Sequence, residues 1–319
     1  MKNYLVEREL AHALYGRVLL CRDSTQRVVV KRLDLRAAAE RRSVDDGRLV
    51  AEDATMEKHV HGLLAHAHIV ALHETFCADG YDHFVMEYCP RGELFQELQR
   101  QPSQRFQPTR AHDCFIQIAT AVAFMHERGF AHCDLSLENV FVDATFNCKV
   151  GDFGLASPTA ARKLTPVGKR IYMAPEMLLP GGYAPDKADV WALGIMLFIM
   201  LTGCPLFGRA DDSDSVFRYV QAHGLVGVLR GWKLDHVVSK DCLHLLKKLL
   251  DVDPKRRPAM KTVMKHPYVR DGLRFFEIGD HVGRFFKALW TTPREWRRSE
   301  ASAPTQGAKK KRPPRSSIY

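Results

Sequence analysis

A chain of 319 residues with 46% apolar and 26% charged residues has the composition of a soluble globular protein able to bury one large or two medium cores. The net charge of +10 is unevenly spread: residues 291–319 hold eight Lys or Arg against two Glu, a net of +6, leaving +4 for the remainder. Eight scattered cysteines without a C-x-x-C pair argue against a disulfide framework, and the longest apolar run, Val190 to Leu201, falls short of the about 20 residues that a bilayer span needs. Met1–Leu10 is polar and charged, unlike a secretory signal, so an intracellular location is expected, cytoplasmic, nuclear or both.

Residues 4–35 alternate apolar and polar stretches around a turn at Arg22-Asp23-Ser24, the pattern of strands. Val28-Val29-Val30-Lys31 ends a β-branched run on a lysine, which at a strand end is ordinarily solvated. Residues 36–47 are charged and irregular, and Leu49–Leu64 has helical spacing with Glu57 on it. His59, His61, His66 and His68 lack the spacing of a helical zinc site and have no companion cysteine, so a metal site is not expected there. Ala111–Arg128 reads as an amphipathic helix with Phe115, Ile118, Ala119, Val122 and Met125 at helical intervals.

That helix leads into His132-Cys133-Asp134-Leu135-Ser136-Leu137-Glu138-Asn139, which sets a carboxylate and a carboxamide five residues apart beside the apolar run Val140-Phe141-Val142. A loop ending in a buried strand can hold two polar groups at fixed separation, as positioning chemistry requires. The next strand ends Lys149-Val150-Gly151-Asp152-Phe153-Gly154 and adds a second carboxylate. Singly, each of these residues would also suit a turn that caps its own backbone. Further on stand Ala174-Pro175-Glu176, Asp189-Val190-Trp191-Ala192-Leu193-Gly194, Asp253-Pro254-Lys255-Arg256-Arg257-Pro258 and His266-Pro267-Tyr268.

The spacing H-x-D-x-x-x-x-N followed by D-F-G resembles the catalytic core of eukaryotic protein kinases, most closely the serine/threonine class, and the ordered series extends the likeness over nearly all of residues 10–269. The resemblance implies an α+β, two-lobed fold over 4–269: a small β-rich N-lobe (4–86), a hinge (87–92) and a larger helical C-lobe (93–269). Residues 270–319 would be an extension with a basic, disordered tail. It implies transfer of the γ-phosphoryl group of ATP to Ser or Thr of protein substrates, with Mg2+. Asp134 would accept the proton of the acceptor hydroxyl, and Asn139 and Asp152 would hold the metal. Lys31, held by Glu57, would reach the α- and β-phosphates. Leu10, Gly16, Val18, Val29 and Phe141 would line the nucleotide slot, Met86 would close its back, and Glu87 and Cys89 would offer backbone groups to adenine. Residues from Asp152 to Glu176 resemble an activation loop and its anchor, with Arg257 paired to Glu176.

Several positions depart from the family pattern. Ala11 and Ala13 replace the first two glycines of the phosphate loop, Val29 narrows the adenine slot, Cys133 replaces an arginine, Ser136 a lysine, and Lys169 the threonine after Gly168. Loss of one preorganised cation would cost on the order of 10²–10³ in rate if nothing replaced it. Lys169 is therefore expected either to reach the place beside Ser136 as an auxiliary cation or to be a solvated loop lysine. Thr165 occupies the position where relatives accept an activating phosphate. The receptor positions are Cys133, Asp53 and Ser157, none of them basic, so activity is expected not to require that phosphate.

Glu93, Glu138 and Asp211-Asp212-Ser213-Asp214 would favour basic residues near the acceptor. Two alternatives follow from the departures and the tail. One is a weakly active or inactive scaffold that keeps the fold. The other is anionic-ligand or nucleic-acid binding dominated by Lys309-Lys310-Lys311-Arg312-Pro313-Pro314-Arg315, which also resembles a nuclear-localisation signal, although no stable nucleic-acid partner is expected. Phe285, Phe286, Leu289 and Trp290 are expected to dock back onto the domain rather than onto a membrane. The oligomeric state is not readable from these patterns.

Overall fold

A computed structural model describes residues 4–13, 15–35 and 54–271. The start of the helix expected at Leu49, the receptor position Asp53 and the tail readings lie outside the described residues.

The first element is a five-stranded antiparallel sheet of β1 (Leu5–Ala13), β2 (Gly16–Arg22), β3 (Arg27–Asp34), β4 (Leu72–Ala78) and β5 (Tyr81–Glu87), in the order β1-β2-β3-β5-β4. The valine run of β3 explains its faces. Side chains alternate along a strand, so Val28 and Val30 turn into a core with Leu19, Cys21 and Val85, and Val29 and Lys31 face the other way. Register carries that second face across the sheet, because Lys31 lies opposite Val18 and Phe84, and Val29 lies opposite Leu20 and Met86. Against the sheet packs α1 (Ala54–Leu63), with Glu57, Val60 and His61 buried at the i, i+3, i+4 spacing of one helix face.

The second part is helical: α2 (Leu94–Gln99), α3 (Pro108–Glu127), α4 (Pro185–Thr202), α5 (Ser215–Gly231), α6 (Lys240–Leu249) and α7 (Met260–Val263). Helix α3 begins three residues before the Ala111 start read from the sequence. Pro108 suits the first helical turn, where its missing N–H costs nothing. Helix α4 is buried nearly all round, which is why its sequence is continuously apolar, and it stops at Gly203 in the left-handed conformation, φ 82°. Short strands complete this part: β6 (Gly92–Glu93), β8 (Val140–Val142) and β9 (Cys148–Val150) form one sheet, and β7 (Phe130–Ala131) pairs with β10 (Ser157–Pro158). The chain thus adopts the two-lobed α+β fold. Among the described residues no helix is long and apolar enough to cross a membrane.

The lobes are joined beside two histidines. His68 donates from Nδ1 to the Cys148 carbonyl at 3.1 Å, its own carbonyl accepts from the Val150 N–H at 2.9 Å, and its N–H donates to His66 Nδ1 at 3.1 Å. Burial, the largest cause, pushes both imidazoles from 6.5 down to about 4. The unfolded chain therefore takes up protons near pH 6.5 that the folded chain refuses until about pH 4. Stability is full above pH 6.5 and falls as pH drops through that window, by on the order of 3 kcal/mol per histidine before their mutual repulsion is counted. Thermal unfolding followed from pH 7 to pH 4 is expected to show this loss. His68→Asn, which keeps a side-chain donor for Cys148, is expected to flatten the curve at little cost at pH 7.

Candidate active site

Lys31 reaches the inter-lobe cleft because strand alternation turns it away from the valine core. Its Nζ lies 2.9 and 3.0 Å from the two carboxylate oxygens of Glu57 and 3.1 Å from Asp152 Oδ1. The Lys31 and Glu57 side chains are almost sealed, at 7% and 1% exposure, whereas Asp152 is 42% exposed. Burial raises the Asp152 carboxyl, but the charge and hydrogen bond of Lys31 outweigh it and hold the group below the usual carboxylate range.

The loop after β7 is anchored from below by α4. Asp189 accepts the backbone N–H groups of His132 at 2.7 Å and Cys133 at 2.9 Å, and pairs with His126 Nε2 at 2.8 Å. His132 then bridges inward, with Nε2 donating to the Gly151 carbonyl at 3.0 Å and Nδ1 accepting the Asp134 N–H at 3.2 Å. Asn139 donates from Nδ2 to both the carbonyl and Oδ2 of Asp134, each at 2.7 Å. The five-residue spacing read from the sequence is therefore closed by one carboxamide. Asp134 Oδ1, by contrast, is buried with no hydrogen-bond partner among the described residues.

The opposite wall comes from the segment before α4. Lys169 Nζ donates to Ser136 Oγ at 2.9 Å, across 33 positions of sequence. Burial raises the Asp134 carboxyl, and Lys169 is the largest influence opposing that rise, so its charge is felt at Asp134 as well. Gly168, at φ +89°, lies so close that a Cβ there would stand 2.8 Å from Asp134 Oδ1. Asp134, Gly168 and Lys169 border a small open pocket with Cys133 and Tyr172.

The donor set suits a nucleotide and a hard cation. Asp152 is partly open, the Asn139 amide nitrogen is already engaged so that its carbonyl oxygen would be the atom to face a cation, and Mg2+ takes oxygen ligands of this kind. The orphaned Asp134 oxygen lacks a donor that an alcohol would supply.

The sequence matches the family described as "Protein kinase domain" over residues 4–269. It is 35% identical over 214 residues to "Maternal embryonic leucine zipper kinase" of Danio rerio, covering 66% of this chain and 30% of that protein. To "CBL-interacting protein kinase 30" of Oryza sativa subsp. japonica it is 32% identical over 275 residues, 84% of this chain and 54% of that protein. To "Serine/threonine-protein kinase Nek4" of Mus musculus it is 31% identical over 280 residues, 86% of this chain and 33% of that protein. The chain belongs to the protein kinase family. It spans between about a third and somewhat over half of the length of these relatives.

The remaining residues singled out from the sequence are placed as follows. Val18, Val29 and Met86 share the sheet face that carries Lys31. Leu10 falls between the two registers of a β-bulge in β1. Glu87 donates its N–H to the Ala71 carbonyl and Cys89 is buried just beyond it. Phe141 lies opposite Glu93 and Lys149. Glu138 accepts the Tyr172 hydroxyl at 3.1 Å. Burial, then the Glu138 charge, raises the half-buried Glu93 carboxyl. Thr165 is exposed, and its carbonyl accepts the Tyr183 hydroxyl at 3.3 Å. Arg257 makes two bonds to Glu176, one of them 2.7 Å.

Sequence reasoning missed two steric requirements. Gly168 served there only as a marker, and its closeness to Asp134 had no signal other than its being glycine. Ala11 and Ala13 do not form a loop but stay in the β1–β2 ladder, opposite Val18 and Gly16. Gly16 in turn is demanded by the sheet, because a Cβ there would stand 1.8 Å from the Arg32 carbonyl oxygen. Gly16→Ala is expected to cost about 3 kcal/mol through overpacking against backbone. Chemical denaturation without nucleotide reads this directly, and an unchanged midpoint would mean that the glycine serves the ligand instead.

Proposed function

We propose that this protein is an ATP-dependent protein kinase that transfers the γ-phosphoryl group to Ser or Thr of protein substrates. The observation that carries the reading is the convergence of Lys31, Glu57 and Asp152 in the same cleft as Asp134, whose Oδ2 is held by Asn139 and whose Oδ1 has no donor among the described residues. Lys31, oriented by Glu57, binds the α- and β-phosphates. Leu10, Gly16, Val18, Val29 and Phe141 line the nucleotide, Met86 backs it, and Glu87 and Cys89 offer backbone groups to adenine. Asn139 and Asp152 are the residues that would hold Mg2+, which when bound neutralises charge on the phosphate oxygens. The functional unit is read as an N-lobe over 4–86, a hinge over 87–92 and a C-lobe over 93–269, acting inside the cell.

Asp134 orients the acceptor hydroxyl and takes its proton. The hydroxyl oxygen bonds to the γ-phosphorus, and the bond from that phosphorus to the bridging oxygen breaks, leaving ADP. Little covalent chemistry falls to the protein, so positioning and charge dominate. The contact of Lys169 with Ser136 supports the view that this lysine restores, from the facing wall, the cation that the catalytic loop lacks. Glu93 and Glu138 are read as the anionic side that favours basic residues in the substrate.

Purified protein with ATP, Mg2+ and a library of basic Ser and Thr peptides is expected to give transfer that Asp134→Asn abolishes. Failure to label any peptide or the protein itself would sink the enzymatic reading. The auxiliary cation has its own signature in the pH profile. Asp134 must be ionised to accept a proton and its carboxyl is raised by burial, so the acid limb of kcat/KM lies above the ordinary Asp value. Lys169→Met removes the main opposing charge and is expected to move that limb to higher pH while lowering kcat, whereas Lys169→Arg should restore both. An acid limb unmoved in Lys169→Met would mark a merely solvated lysine.

A further inference from the structure

The segment between Asp152 and Glu176 is tied down by side chains that the transfer chemistry does not use. Lys163 donates its N–H to the Tyr183 carbonyl at 3.1 Å and accepts the Tyr183 N–H at 2.9 Å. Its ammonium donates to the Leu155 carbonyl at 2.9 Å, three residues beyond Asp152, and also lies against the buried Cys133 thiol. Arg162 donates from Nε to the Gly181 carbonyl at 2.7 Å and from a terminal nitrogen to the Gly182 carbonyl at 3.1 Å. Gly182 permits this contact: its φ is +77°, and a Cβ there would stand 2.7 Å from the Lys163 carbonyl oxygen.

Adjacent residues thus fasten the strip in two directions, back to the start of the segment and forward to the turn before α4. A few positions later the same strip delivers Gly168 and Lys169 to Asp134 and Ser136. A phosphate orders such a loop by pairing with cations. Here the two cations nearest Thr165 in the chain already hold carbonyl oxygens, and Cys133 offers no charge.

We propose that Arg162 and Lys163 are positioning residues that hold residues 157–169 in the productive arrangement without an added phosphate. This concerns regulation of the proposed kinase site and rests on that reading. Charge-assisted bonds to carbonyl dipoles and a two-bond backbone bridge do the ordering that a phosphate would otherwise do.

The test combines hydrogen exchange with kinetics on the full chain. In the wild type, amide exchange over 157–169 is expected to be equally slow before and after phosphatase treatment. In the double variant Arg162→Ala, Lys163→Met it should speed up in that segment, while the melting temperature and the KM for ATP hold. The kcat/KM for a basic peptide should fall on the order of 10- to 100-fold through misplacement of the wall carrying Lys169. Lys163→Arg should keep both readouts, and Thr165→Ala should leave turnover unchanged. Faster exchange after phosphatase treatment alone, or wild-type exchange in the double variant, would overturn the proposal. A wild type that transfers no phosphoryl group overturns the kinase reading instead, and exchange, which needs no turnover, then decides the clamp by itself.

Discussion

Everything in the cleft depends on one buried ammonium. Lys31 is withdrawn from water on β3, which is tolerable only because Glu57 on α1 meets it with both carboxylate oxygens and Asp152 with one. Removing one partner from such a group leaves an uncompensated buried charge, at a cost of about 3–5 kcal/mol. The interaction therefore fixes how α1 sits against the sheet and where the segment after β9 may run. One turn beyond Glu57, His61 reinforces that placement by donating to the Val70 carbonyl at 2.7 Å and packing on Phe153 with 4.7 Å between ring centroids.

Two strained backbone positions belong to the site, one next to Asp134 and the other Asp152 itself. Cys133 at φ 66° and Asp152 at φ 62° both occupy the left-handed region that non-glycine residues avoid, a cost of order 1–3 kcal/mol each. Asp189 meets part of it by binding the N–H groups of His132 and Cys133, and His132 meets more by bridging Gly151 and Asp134. The conformation at position 133 is thus held through backbone contacts rather than by its side chain. That explains how cysteine can stand where the family has arginine: a charge is lost, but the loop keeps its geometry.

Two other departures are met by contacts elsewhere in the fold. Ser136 carries no charge, and the Lys169 ammonium approaches its hydroxyl from the facing segment. Alanines at positions 11 and 13 remove backbone freedom, and the chain responds by continuing the strand ladder through both of them. The lysine comes from 33 positions away, whereas the partner of the alanines is the adjoining strand β2.

The sequence alone determined what short-range periodicity and motif order encode. Period-two alternation through Val28–Lys31 put the lysine on the face opposite the valine core, the five-residue spacing held Asp134 and Asn139 together, and the run Val190–Leu201 was too short for a bilayer span. Tertiary structure decided what depends on two chain segments meeting. Whether Lys169 touches Ser136, why Gly16 and Gly168 must be glycine, and that Arg162 grips a turn some twenty residues ahead while the Lys163 ammonium holds the Leu155 carbonyl behind it were not legible, since an exposed lysine and a clamping lysine share one local pattern. Periodicity is set by neighbours along the backbone, whereas these contacts are set by steric closeness and charge between walls that only folding brings together.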